Sequence, residues 1–217
     1  AYNYEIGMKS EWLDNRLRLN GAIFHTTFED FQVSENVPAF ATVIVTNAAE
    51  VEATGVELEF TGVVTDNLTV NGSMTYVQSE YKDYKGAPCS GSQNCVTQDL
   101  SGETLDHAPE LSFNVGAEYR DSLGGTNGAE WFARADVIYN DEQNLYVYLT
   151  PETEEGAYAL VNGRVGLESD GEWKLTLWGK NLFDEEYRSA ADTAGDGGLS
   201  EVPGLPRTYG VTADWYF

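Results

Sequence analysis

The feature that most constrains the fold is an alternation of apolar and polar residues that returns in segment after segment. In "LTVNGSMTYVQSEY", Leu68, Val70, Met74 and Tyr76 alternate with polar residues. A period of two places successive side chains on opposite faces of a β-strand. About nine segments follow this template: 4–8, 17–23, 56–60, 68–76, 111–119, 131–139, 159–167, 173–177 and 209–217. No helical period competes with it, so the sequence predicts an all-β, antiparallel fold.

The connections between these segments alternate between two lengths. Short turn sequences rich in Asp, Asn and Gly lie at 13–16, 63–67, 121–128 and 169–172. Longer segments fall between them, at roughly 32–47, 82–108, 141–157 and 188–205. Short connections at one end and long ones at the other are typical of outer-membrane barrels. Many of the segments are also longer than the usual five or six residues of soluble strands, as a tilted membrane crossing requires.

One face of the predicted strands is rich in charged residues. It carries Glu5, Lys9, Glu57, Glu59, Glu118, Arg120, Arg134, Asp136, Arg164, Glu168, Lys174, Lys180 and Asp214. So many charges are tolerated in a watery lumen or on a solvated face, but not in a packed core. A soluble sheet with one face in solvent is the alternative, although its long edge strands would need covering.

Aromatic residues cluster near both ends of the strands. Trp12, Phe60, Tyr119, Trp131, Trp173, Trp215 and Phe217 lie beside short turns or the last residue, and Tyr4, Tyr76, Tyr139 and Tyr209 lie toward the long connections. Two aromatic girdles at the two membrane interfaces would account for this distribution.

Composition excludes several classes of protein. With 36 acidic and 12 basic residues, the chain would repel nucleic acids and anionic lipid head groups. No apolar stretch approaches the length of a membrane-spanning helix, and the first residues lack the pattern of a signal peptide. Strands that hide their apolar residues by alternation are not excluded by this test.

The two cysteines, Cys89 and Cys95, lie in a segment rich in Gly, Ser, Pro and Asn that reads as a loop. In an oxidising compartment we predict a disulfide that closes the tip of this loop. The alternative is two free thiols in a cytosolic protein. Two thiols without further nearby ligands cannot form a closed zinc site, and we predict neither a metal site nor a cofactor.

Four strings resemble the C-terminal half of the β-barrel of TonB-dependent outer-membrane receptors. They are "YEIGMKSEWLDNRLRLNGAIFHTTFEDFQV" at 4–33, "NAAEVEATGVELEF" at 47–60, "KNLFDEEY" at 180–187 and "GLPRTYGVTADWYF" at 204–217. The resemblance covers essentially the whole chain. It implies localisation in the outer membrane of a Gram-negative bacterium and a last strand, carrying Tyr209, Val211, Trp215 and Phe217, that acts as the insertion signal for the barrel-assembly machinery.

The count of strands bears on completeness. With the last strand ending in the periplasm, nine strands would leave Ala1 on the extracellular side, whereas complete bacterial barrels have an even number of strands. We therefore expect residues 1–217 to be the C-terminal portion of a larger barrel of about 22 strands, with the plug domain and the earlier strands absent. A miscounted strand near 33–47 would instead restore an even number.

The resemblance implies a receptor that takes up a scarce solute, such as a siderophore, a vitamin or an oligosaccharide, with energy from TonB acting through the missing N-terminal region. Outer-membrane lipid is the other expected partner. In the extracellular loops, Tyr146 and Tyr148 are candidate ligand contacts, because their rings could stack on a sugar or an aromatic siderophore; alternatively they extend a hairpin. No catalytic motif occurs, so we predict no enzyme. A complete small barrel with a structural or adhesive role and a soluble ligand-binding β-domain are the remaining alternatives.

Overall fold

A computed structural model describes residues 1–37, 42–124, 128–169, 171–193 and 198–216. The strands in chain order are β1 (Tyr2–Trp12), β2 (Leu17–Val37), β3 (Thr42–Val63), β4 (Leu68–Asp83), β5 (Lys85–Pro88), β6 (Thr97–Asp99), β7 (Leu111–Ser122), β8 (Glu130–Asn140), β9 (Gln143–Asn144), β10 (Glu154–Glu155), β11 (Tyr158–Ser169), β12 (Trp173–Lys180), β13 (Arg188–Thr193), β14 (Leu199–Pro203) and β15 (Thr208–Trp215). A 3-10 turn covers Pro151–Thr153. Within the described residues, no helix is long and apolar enough to cross a membrane.

Nine of these strands form one antiparallel sheet, in the order β1-β2-β3-β4-β7-β8-β11-β12-β15. Each strand pairs with the next one in this series, and β1 and β15 form the two edges. The remaining six strands pair as three small hairpins, β5 with β6, β9 with β10 and β13 with β14. The nine predicted strands and their antiparallel arrangement are therefore confirmed.

Short turns join the sheet strands at one end, which we call the turn end, and the long connections lie at the other, the loop end. The β1–β2 turn shows why its sequence suits a tight reversal. Leu13, Asp14 and Asn15 all have positive φ angles, of 57°, 54° and 65°. Asp and Asn enter this left-handed region more readily than most residues. The predicted short turns are confirmed within the described residues.

The prediction of a long loop at 32–47 is wrong. β2 continues to Val37 and β3 begins at Thr42, so most of the segment is a hairpin that extends beyond the neighbouring strands. The pairing register shifts between Phe28 and Phe31, where Asp30 has a φ of 54°. A bulge of this kind inserts an unpaired residue and reverses the alternation. A sequence pattern with a period of two therefore does not recognise the parts of β2 and β3 that lie beyond this bulge.

The extended hairpin is held by a small apolar core at the loop end. Val33, Ala49 and Val51 pack with Tyr81, Tyr84, Ala87 and Leu100, and all seven are at most 4% exposed. The Tyr81 phenol donates a hydrogen bond to Asp106 Oδ1 at 3.3 Å. Burial, followed by the nearby Asp106 carboxylate, raises the pKa of this phenol well above its ordinary value. The hairpin and the start of the β4–β7 connection thus form one packed unit.

The string at 180–187 ends β12 by side-chain hydrogen bonds to the backbone. The buried Asn181 has a φ of 50°, and its Nδ2 donates to the carbonyl oxygens of Glu185 and Leu205 at 2.8 and 3.1 Å. The Glu185 amide donates to Asn181 Oδ1 at 2.8 Å. Asp184 accepts a hydrogen bond from the Arg207 amide at 2.9 Å. Asn181 therefore ends β12 by bonding to nearby backbone groups, whereas Asp184 holds the segment that leads into β15.

Candidate functional site

The pairing register places the predicted charged residues on one face of the sheet. Directly opposed residues share a face, and the pairs include Glu118 with Arg134, Arg134 with Arg164, and Glu168 with Lys174. We call this the lumen face and the opposite one the lipid face. The sorting of charges inferred from alternation is therefore confirmed.

Near the turn end, the lumen face carries a continuous ion-pair network. Arg120 contacts Glu118 Oε1 at 2.7 Å through Nε and Glu168 through a terminal nitrogen. Lys174 Nζ lies 3.1 Å from Glu168 Oε2, and Arg164 lies 3.2 Å from Glu118 Oε2. Glu130 Oε2 on β8 lies 3.8 Å from Arg120, so the network joins four strands and pairs three cations with three carboxylates.

An aromatic ring lies beneath this network. Phe132 is 1% exposed, and its ring centroid lies 5.0 Å from Arg120 Cζ and 4.6 Å from Lys174 Nζ. Cations at such distances from a ring are attracted to its face. Phe132 is paired directly with Gly166 on β11, so the ring covers a position that has no side chain.

The other half of the lumen wall has a different charge balance. Glu5, Glu57 and Glu59 line an open groove over β1–β3 together with Lys9 and Asn20. Asn20 Nδ2 donates to Glu59 Oε2 at 3.1 Å. Three carboxylates face one ammonium here, so this part of the wall carries excess negative charge and favours cationic groups.

The lipid face carries the predicted aromatic girdles. Trp12 and Trp215 at the turn end are 57% and 66% exposed, and Tyr4 and Tyr209 toward the loop end are 70% and 77% exposed. Large exposed rings of this kind suit a membrane interface. Of the residues assigned to the insertion signal, Tyr209, Val211 and Trp215 alternate along this face of β15, and Phe217 lies outside the described residues.

At the loop end, β5 and β6 form a hairpin whose tip is closed by a disulfide between Cys89 and Cys95, in agreement with the sequence prediction. Within the described part of the chain, no group of three or more His, Cys, Asp or Glu residues is arranged to hold a metal ion.

The structure brings Tyr146 and Tyr148 together in the β8–β11 connection, with ring centroids 4.8 Å apart in an edge-on arrangement. Tyr148 is 4% exposed, while Tyr146 is only half-buried. Burial, together with a hydrogen bond to Asp192 on β13, raises the pKa of the Tyr146 phenol well above its ordinary value. Tyr146 is therefore the more accessible of the two rings, and their role as ligand contacts stays a prediction.

Sequence reasoning missed the residue that joins the last two outer connections. Arg188 Nε contacts Glu155 Oε2 at 2.6 Å, and another guanidinium nitrogen contacts Glu201 Oε1 at 2.7 Å. Arg188 also donates to the carbonyl oxygens of Glu152 and Glu154. The hydrogen bond to the Glu155 carboxylate is the largest effect that raises the pKa of Arg188. Only the scarcity of basic residues in these acidic segments could have drawn attention to it.

An open sheet with a charged lumen face, an apolar lipid face and aromatic girdles defines a wall segment of an outer-membrane β-barrel. The model of the TonB-dependent receptor-like β-barrel family matches residues 1–182. The chain belongs to this family, and it is part of an outer-membrane protein.

Several characterised proteins are similar to the chain. The ferric-pyoverdine M114 receptor PbuA of Pseudomonas sp. (strain M114) is 29% identical over 224 residues, which cover 98% of this chain and 24% of that receptor. The catecholate siderophore receptor Fiu of Escherichia coli (strain K12) is 26% identical over 219 residues, or 100% of this chain and 26% of Fiu. The chain thus spans about a quarter of the length of these relatives.

Solved structures agree on the fold. The ferric yersiniabactin uptake receptor FyuA from Yersinia pestis superposes with a TM-score of 0.77 at 20% identity, over 99% of this chain and 29% of FyuA. The siderophore receptor PiuA from Acinetobacter baumannii gives a TM-score of 0.72 at 23% identity, over 97% of this chain and 27% of PiuA.

Proposed function

We propose that the chain forms part of a TonB-dependent receptor that imports a ferric siderophore across the outer membrane. The observation that carries this proposal is the similarity over nearly the whole chain to a ferric-pyoverdine receptor and a catecholate siderophore receptor. The charged lumen face supports it, because a polar solute needs such a wall to pass through the membrane. Vitamins and oligosaccharides remain the other solute classes.

The same proposal places the chain as the C-terminal portion of a longer barrel. Relatives are about four times as long, and the edges β1 and β15 are not paired with each other in the described sheet. Unpaired backbone groups cannot remain at an edge inside a bilayer. Further strands, up to about 22 in total, would close the barrel, and a plug and TonB contact would lie in that additional sequence. Insertion would depend on the barrel-assembly machinery acting on β15 and Phe217.

The proposal assigns the chain no catalytic step, since the similar proteins are receptors.

The intact mass of the mature protein, extracted from its native membrane, distinguishes the receptor proposal from the small-barrel alternative. We expect a mass of roughly four times 23.9 kDa, in line with the relatives. A heat-modifiable species of 23.9 kDa would overturn the receptor proposal.

Ligand binding tests the assignment of Tyr146. In the full-length receptor, Tyr146→Ala is expected to raise the Kd for ferric pyoverdine about tenfold, because an aromatic anchor contributes about 1.4 kcal/mol or more to binding. The measurement is quenching of intrinsic fluorescence by ferric pyoverdine and by a ferric catecholate. Tyr4→Leu is the control, because Tyr4 faces lipid and is 70% exposed. No binding of either complex, nor of ferric yersiniabactin, to the unaltered receptor would contradict the siderophore assignment.

A further inference from the structure

The disulfide-closed tip between β5 and β6 has an ordered interior. The Ser90 amide donates to Gln93 Oε1 at 2.8 Å, and the Gln93 amide donates to the Ser90 carbonyl at 3.1 Å. Ser90 is 4% exposed. The Cys89 amide also donates to the Val96 carbonyl. The side chain of Gln93 is therefore held in a fixed position inside the ring that the disulfide closes.

From this tip a chain of amide hydrogen bonds leads to the next outer connection. Gln93 Nε2 donates to Gln98 Oε1 at 3.2 Å. Gln98 Nε2 in turn donates to the carbonyl oxygens of Pro88 and Tyr148, at 3.0 and 3.1 Å. Gln98 contacts both connections and uses both ends of its amide. The His107 amide also joins them, by donating to the Asn144 carbonyl at 2.8 Å.

Tyr146 lies at the far end of these contacts. Its amide donates to Asn144 Oδ1 at 3.0 Å, and its carbonyl accepts a hydrogen bond from the Leu149 amide at 2.9 Å. Its ring packs against Tyr148, and its phenol bonds to Asp192 from the third connection. The second and third outer connections thus meet at Tyr146, and the first reaches the neighbouring Tyr148 through Gln98.

We propose that Gln98 is a positioning residue through which the Cys89–Cys95 ring holds the Tyr146–Tyr148 pair in place for the ligand. The part that concerns ligand binding depends on the function proposed above; the mechanical coupling does not. Gln98 touches no ligand in this scheme. It fixes the Tyr148 carbonyl, which fixes the turn that carries Tyr146.

Amide hydrogen exchange of the full-length receptor tests the coupling without any ligand. Gln98→Met keeps the length of the side chain and removes its hydrogen bonds. We expect the amides of residues 145–149 to exchange about five- to thirty-fold faster, as the loss of one or two hydrogen bonds predicts. The paired change Cys89→Ser with Cys95→Ser should accelerate the same amides. Gln78→Met is the control, because Gln78 is exposed on the lipid side of β4.

Unchanged exchange at 145–149 in Gln98→Met would overturn the proposal, as would an equal acceleration in Gln78→Met. If exchange at 145–149 became faster only in the variant with both Cys89→Ser and Cys95→Ser, the ring would act on this turn without Gln98, and the proposal would also be overturned. Uptake of ferric pyoverdine supplies the second readout. A positioning role raises the half-saturating concentration and leaves the maximal rate unchanged, whereas loss of folded receptor lowers the maximal rate. If the unaltered receptor takes up no ferric siderophore, the proposed function fails and the exchange result still stands.

Discussion

Gly166→Ala is expected to lower the resistance of the barrel to urea, with a loss of about 1–3 kcal/mol of stability, which is typical of overpacking. A Cβ on Gly166 would lie 2.5 Å from Phe132 Cζ and 2.6 Å from the carbonyl oxygen of Leu175. The ring cannot move aside easily, because it is buried beneath Arg120 and Lys174. The Leu175 carbonyl belongs to the paired backbone of β12 and cannot move without straining that strand.

The measurement is the urea midpoint at which the purified full-length receptor loses its heat-modifiable band on electrophoresis. Gly62→Ala is the matched control: Gly62 also lies within a strand, but the nearest atom to its added Cβ is Val70 Cγ2 at 3.5 Å, an ordinary contact. Equal midpoints for the two variants would contradict the assignment of Phe132 and Gly166 as a tightly fitted pair.

The same arrangement recurs across the sheet. Aromatic rings cover directly opposed glycines in the pairs Phe24–Gly55, Phe60–Gly72 and Trp178–Gly210. An added Cβ on any of these glycines would lie 2.6–2.7 Å from the ring. Covering a strand glycine with a ring from the neighbouring strand is a known way to fix register. A shift by one residue would move each ring off its glycine, so these pairs favour a single register.

Local alternation was sufficient to predict the nine strands, the short turns and the two faces, because these depend on neighbours within one strand. It fails where the alternation reverses, as at the bulge near Asp30, and there it predicts a loop in place of the β2–β3 hairpin. The pairing of Phe132 with Gly166 could not be predicted either. It depends on the register between β8 and β11, which a period of two leaves open.

The outer connections illustrate the same limit at the candidate site. Cys89 and Cys95 are close in sequence, and their disulfide was predictable. Tyr146 and Asp192 are distant in sequence and meet only because the segments around β9–β10 and β13–β14 contact one another at the loop end. Contacts between loops depend on which strands are neighbours in the sheet and on their register. The local pattern of a single sequence does not reveal either.

Arg188→Met is expected to release the β13–β14 hairpin from the segment 151–155 and to expose both to proteinase K added to whole cells. The change leaves Glu155, whose side chain is 10% exposed, without its cation. Removing one partner of a buried ion pair costs about 3–5 kcal/mol, and the partial exposure of Arg188 places this case toward the lower value. The Glu152 and Glu154 carbonyls lose their donor as well.

Arg207→Met is the control for this prediction. Arg207 pairs with Asp184 at 3.4 Å, with both side chains nearly half exposed, and pairs of that kind contribute about 0–1 kcal/mol. Arg188→Lys should give an intermediate rate of cleavage. Lysine keeps the positive charge, but it lacks the planar guanidinium group with which arginine contacts two carboxylates and two backbone carbonyls at once. Equal cleavage of the Arg188→Met and Arg207→Met receptors would mean that other contacts hold the hairpin. A strong effect confined to Arg188→Met would instead assign the joining of the last two outer connections to one guanidinium group.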